Sequence, residues 1–131
     1  MDVADQLNAD PLPLARLLGV EIVEATPRRV VARLTVRPEL CTAGGILHGG
    51  AFMALADTAG AIGASLNLAE GANTTTIESK TNFLGSARLD VVVTAEATPV
   101  HVGRRSSVWQ TRVTNPDGKL LALVTQTQLV I

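Results

Sequence analysis

The 131-residue chain has few aromatic side chains: Phe52, Phe83 and Trp109, with no tyrosine. Its core must therefore be aliphatic, and surfaces on which nucleic-acid bases stack are nearly missing. It has one cysteine, Cys41, so no internal disulfide can form, which fits a reducing compartment. It has little net charge: 11 Lys and Arg against 12 Asp and Glu leave −1, which gives no global drive toward nucleic acid or anionic membranes. It has only two histidines, His48 and His101, with no Cys/His spacing of a metal site, and no GxxxxGK phosphate loop. The longest apolar region, about Ala51–Leu66, is broken by Asp57 and rich in Ala and Gly, too short and interrupted for a membrane span. Met1–Asp10 is polar and acidic, unlike a secretory signal. These absences predict one cytoplasmic domain over 1–131 with no metal, cofactor, nucleic-acid or membrane partner.

Hydrophobic residues make up 47% of the chain, enough for a sizeable core. Pro11–Leu18 reads as a short helix stopped by Gly19. Val20–Ala25 and Arg29–Val36 read as strands joined at Thr26-Pro27-Arg28. In the second, Val30, Ala32, Leu34 and Val36 alternate with a mostly polar set, the period of a strand with one buried face. Arg37–Leu47 reads as a loop and Gly49 to Leu66 or Asn67 as a long helix. Strands follow at Asn73–Leu84, Leu89–Ala97, Arg104–Thr114 and Lys119–Ile131. The last two are joined by the hairpin turn Asn115-Pro116-Asp117-Gly118. Mostly antiparallel strands with one segregated helix predict an α+β fold. The helix is rich in small residues, and its glycines 60 and 63 each cost about 1 kcal/mol against alanine. They predict a close approach by another backbone, as in a sheet curled tightly around the helix.

The most informative segment is His48–Ala56, HGGAFMALA, followed at once by Asp57. A carboxylate two turns inside an apolar helix is costly to bury unless something compensates. Its helical neighbours three and four residues away are Met53, Ala54, Gly60 and Ala61, so no cation of its own helix can pair with it. Either another segment satisfies Asp57 or it is kept for chemistry. Gly49 and Gly50 sit where a helix N-terminus presents free N–H groups and a positive dipole end. They suit polarisation of a carbonyl or stabilisation of an oxyanion, or simply permit a tight turn into the helix.

Gly45-Ile46-Leu47-His48-Gly49-Gly50 with Leu55-Ala56-Asp57, in this strand order, resembles the hotdog-fold acyl-CoA thioesterases. The likeness runs over about Leu14–Ile131. It is greatest to the phenylacetate-pathway (PaaI-type) branch, which also includes the human medium-to-long-chain acyl-CoA enzymes. The related branch that cleaves hydroxybenzoyl-type thioesters typically has Glu where this chain has Asp57. The resemblance implies an antiparallel sheet wrapped around a central helix, and hydrolysis of an aryl, aryl-acetyl or medium-chain acyl-CoA. It implies Asp57 as nucleophile or general base and the Gly49 N–H as the carbonyl-polarising group. Thr76 falls where the family has a Ser or Thr near the carboxylate; alone it reads as an ordinary strand threonine. His48 is either a site residue or a structural one, and Gly50 adjoins the thioester. The family often has Asn six residues before the histidine; here that position is Thr42, whose hydroxyl can partly substitute. Arg104 and Arg105 match a position that meets CoA phosphates, a role arginine suits, and otherwise form a solvated strand end.

Gly49 and Asp57 lie eight residues apart, about 12 Å along a helix. One thioester carbonyl is far smaller than that. The spacing predicts a dimer in which Asp57 of one chain serves the same carbonyl as Gly49 of the other. The family resemblance extends this to a homotetramer, a dimer of dimers. Phe52, Met53 and Leu66 read as acyl-pocket lining or as core. The competing reading is a non-catalytic acyl-CoA-binding hotdog protein. A dehydratase or an appended DNA-binding regulator lacks its motif here.

Overall fold

The computed structural model of the chain describes residues 1–131. Two short helices, α1 (Val3–Ala9) and α2 (Pro13–Leu18), precede strands β1 (Glu21–Thr26) and β2 (Arg29–Thr35). A single 3-10 turn (Pro38–Leu40) leads into a small hairpin, β3 (Cys41–Thr42) and β4 (Ile46–Leu47), which delivers the chain to α3 (Gly49–Ser65). Four strands complete it: β5 (Thr74–Phe83), β6 (Val92–Val102), β7 (Ser106–Thr114) and β8 (Leu120–Val130). The large sheet has the order β1-β2-β6-β7-β8-β5, antiparallel throughout. It is the α+β hotdog arrangement, with α3 lying across the inner face of the sheet.

The core forms where the strand alternation meets α3. Val30, Ala32 and Leu34 of β2, Val93, Ala95 and Ala97 of β6, and Val113, Ala122 and Val124 are all buried. From the helix, Phe52, Leu55, Ala56 and Ala59 close onto them. Gly60 and Gly63 mark the closest approach, but side chains rather than backbone make it. A Cβ on Gly63 would lie 2.5 Å from Trp109 ring atoms, and one on Gly60 would lie 2.3 Å from Gln126 Oε1.

Several elements differ from the sequence reading: the expected loop Arg37–Leu47 holds the 3-10 turn and the β3–β4 hairpin, and β6 continues to Val102, past the expected end at Ala97. Asp2 and Asp5 form a reciprocal capping box that starts α1, a helix too short for periodicity to reveal. The helix expected from Pro11 begins at Pro13, with proline at its tolerated first position. Strand β6 begins at Val92 rather than Leu89, because Asp90 takes φ +70° and turns the chain. The Asn115–Gly118 hairpin forms as expected, with Asn115 Oδ1 accepting from the N–H groups of Asp117 and Lys119.

The two sheet edges are treated differently. Asn8 of α1 covers β1 by donating to the Ile22 carbonyl (2.7 Å) and accepting from its N–H (2.8 Å). The ten-residue edge β5 pairs only with β8, so its other side presents unpaired backbone groups. No helix is long and apolar enough to cross a membrane.

Candidate active site

The entry to α3 sorts its first amides. His48 is the N-cap, and its Nδ1 accepts from the Gly50 N–H at 2.7 Å. The His48 carbonyl accepts from Ala51 (2.9 Å) and Phe52 (3.3 Å). The Gly49 N–H finds no acceptor within the protomer. Of the orphan donors a helix start presents, the one free to meet a ligand oxygen is therefore Gly49. Phe83, half exposed at the end of β5, has ring atoms 3.3 Å from where a Gly49 Cβ would sit. Buried Phe52 supports that ring edge-on, with centroids 6.2 Å apart.

Two turns further on, Asp57 is partly buried and satisfied from the sheet rather than by a cation. Thr76 Oγ1 donates to Asp57 Oδ1 at 2.7 Å, and Gln126 Nε2 donates to the same oxygen at 3.1 Å. Gln128 Nε2 in turn donates to Thr76 Oγ1 at 2.5 Å. A bulge at Ile77 separates Thr76 from Ser79, which lie three positions apart yet both face inward. Gln126 and Gln128 escaped the sequence reading because amides in a Thr-Gln-Thr-Gln run look solvated; both are buried.

The other candidates lie around the α3 entry or at its far end. Thr42 is exposed on β3. His48 lines an open groove of about 350 Å³ with Leu14, Cys41, Gly50 and Ala54. Cys41 Sγ donates to the Arg37 carbonyl at 3.4 Å, and His48 Nδ1 is already taken, so the two form no nucleophile–base pair. Arg104 borders a separate groove with Asn67, Ala72 and Val130, at the end of α3 opposite Gly49. Arg105 is exposed beside it. An ion-pair cluster lies apart from all of these: Arg29 binds Glu96 (2.8 Å) and Glu24, and chiefly the Glu96 hydrogen bond raises its pKa.

A free amide at a helix start can polarise a carbonyl, and a hydrogen-bonded carboxylate can act as a base. Residues 44–122, which contain both, match the model of the thioesterase superfamily. The chain belongs to that superfamily. A 1,4-dihydroxy-2-naphthoyl-CoA hydrolase of Listeria monocytogenes is 32% identical over 110 residues, covering 84% of this chain and 89% of that protein. A crystal structure of a Haemophilus influenzae thioesterase superposes with TM-score 0.92 at 31% identity, covering 100% of this chain and 92% of that one. The Escherichia coli PaaI protein of the phenylacetic acid degradation operon shares the fold: TM-score 0.86 at 24% identity, over 98% of this chain and 91% of that one. The thioesterase is thus a thioester hydrolase, as the HGG and Asp57 pattern led us to expect.

Proposed function

We propose that the protein hydrolyses an acyl-CoA, with Asp57 as base or nucleophile and the Gly49 N–H polarising the thioester carbonyl. The observation that carries this reading is the pairing of one unengaged helix-start amide with one hydrogen-bonded carboxylate on α3. As base, Asp57 takes a proton from water, and the oxygen adds to the carbonyl carbon. Negative charge collects on the carbonyl oxygen against the Gly49 N–H, the C–S bond breaks, and the thiolate leaves and is protonated. As nucleophile, Asp57 itself displaces the thiolate, and water then opens the anhydride.

The site is a composite one. Gly49 and Asp57 stand about 12 Å apart along α3, so one carbonyl is served by two protomers. Two features support a dimer. The edge of β5 is open, and the face of α3 bearing Gly50, Met53, Ala54, Asp57 and Ala61 is not buried within the protomer. A homotetramer built from two such dimers is the assembly we expect, with residues 1–131 acting as one cytoplasmic domain. Thr76 orients Asp57, and His48 holds the entry to α3. Thr42 and Gly50 border the thioester, and Arg104 and Arg105 supply charge for the CoA phosphates. The Phe83 ring beside Gly49 favours a flat, aryl acyl group over a straight chain.

Thiol release from benzoyl-, phenylacetyl-, naphthoyl- and octanoyl-CoA, wild type beside Asp57→Ala, tests the reading. Turnover that falls by about 10²-fold or more in a folded variant supports it. Folded wild type that binds these thioesters without cleaving them points instead to a non-catalytic acyl-CoA-binding protein.

A further inference from the structure

We infer that Gln126 and Gln128 are positioning residues for Asp57, which hold its Oδ1 and leave Oδ2 as the oxygen presented to the reaction. The inference rests on the proposed role of Asp57 and adds the groups that aim it. On β8 the residues facing α3 alternate: Ala122 and Val124 are core, and the pattern calls for two more apolar side chains. Glutamines stand there instead, 0% and 1% exposed.

Burying a primary amide is unfavourable for each polar atom left unpaired, and Gln126 Oε1 has no partner. What the placement yields is the donor: Gln126 Nε2 lies 3.1 Å from Asp57 Oδ1. Gln128 acts one step removed. Its Oε1 accepts from Thr74 Oγ1 at 3.0 Å, which fixes the amide so that Nε2 meets Thr76 Oγ1. Since an amide N–H can only donate, the Thr76 hydroxyl is left to direct its own hydrogen at Asp57 Oδ1. Both arms end on the same oxygen, and no group of the protomer donates to Oδ2. The helix is fitted to the arrangement: Gly60 is the position where any Cβ would meet the Gln126 carboxamide.

The neighbourhood holds no competing charge. Strand β8 has no titratable residue, and on β5 Glu78 and Lys80 are exposed and bonded to Thr127 and Asn82. Within α3 Asp57 is the lone titratable group. Thr76 and Gln126, with Gln128 behind Thr76, are thus the donors by which this chain orients the carboxylate.

The test is steady-state kinetics of Gln126→Met and Gln128→Met, alone and with Thr76→Val. Affinity for phenacyl-CoA, a thioether that cannot be hydrolysed, is measured alongside. Gln126→Met is expected to lower kcat about tenfold, with KM and phenacyl-CoA affinity within twofold of wild type. Gln128→Met is expected to lower kcat less, and to cost nothing further once Thr76 is Val, because it acts through that hydroxyl. Gln126→Leu, which also removes the donor and adds no charge, is the second variant should Gln126→Met fold poorly, and should lose as much. Unchanged kcat, a loss confined to KM, or an equal Gln128→Met cost with and without the Thr76 hydroxyl would overturn the inference. Full turnover by Asp57→Ala, or none by wild type, would remove the parent reading instead, and this one with it.

Discussion

Thr76 donates its hydroxyl to Asp57 Oδ1 over 2.7 Å, joining the edge strand β5 to the middle of α3 across nineteen positions of sequence. The bond depends on the hydroxyl rather than on the β-branched shape. Thr76→Val, which keeps the shape, should lower kcat about tenfold with little change in melting temperature. Thr76→Ser should recover most of it. Equal activity in Thr76→Val and wild type would show that the bond serves packing alone.

Gly49→Pro isolates the proposed carbonyl-polarising donor. Proline is tolerated at the first helical position, and His48, which precedes it, already has the extended φ −61°, ψ 140° that a residue before proline prefers. The half-exposed Phe83 ring need move only a few tenths of an ångström to clear the new Cβ. The variant should therefore fold, keep its helix content by circular dichroism, and lose about 10²–10³-fold in kcat. Mixed with Asp57→Ala subunits and refolded together, it should regain about a quarter of wild-type activity, since half the dimers then hold one intact composite site of two. No recovery would place both groups of a working site in one chain.

Much of this was legible in sequence for identifiable reasons. The alternation Val30, Ala32, Leu34 reads directly as a buried strand face, and all three are buried. HGG before an apolar run marks the α3 entry, and Asn115–Gly118 marks the last hairpin. What stayed hidden depends on contacts made at long range. The Ile77 bulge, which sets Thr76 against Asp57, has no residue signature. Gln126 and Gln128 alternate with threonines, so polarity alone cannot tell which face is inward. Gly60 and Gly63 announced a close approach, but only the fold reveals that Gln126 and Trp109 make it.

Gly63→Ala should destabilise the protein although alanine is the better helix former by about 1 kcal/mol. Trp109 is 0% exposed, with its Nε1 held by Ser107 Oγ at 3.0 Å, so the ring cannot withdraw from the added methyl. Overpacking of this kind costs about 1–3 kcal/mol, more than the helix gains. A melting temperature several degrees below wild type, at unchanged kcat for the folded fraction, is the expected result. A raised melting temperature would mean that β7 yields where the packing indicates that it is fixed.

The proposed reaction makes Phe83 a determinant of substrate choice. Its ring is 52% exposed, lies against Gly49, and is braced edge-on by Phe52, so an acyl group whose carbonyl meets the Gly49 N–H passes beside it. A flat aryl group stacks on such a face and gains about 0.5–1.5 kcal/mol beyond area burial, whereas a straight chain gains only burial. Phe83→Leu keeps the burial and removes the stacking. It should lower kcat/KM for benzoyl- and naphthoyl-CoA roughly three- to tenfold while leaving octanoyl-CoA nearly unchanged. Phe83→Ala, which removes both, should reduce all three, the aryl substrates most. Equal losses on aryl and octanoyl substrates in Phe83→Leu would reduce Phe83 to a cover for the helix start and return the choice of acyl group to other residues.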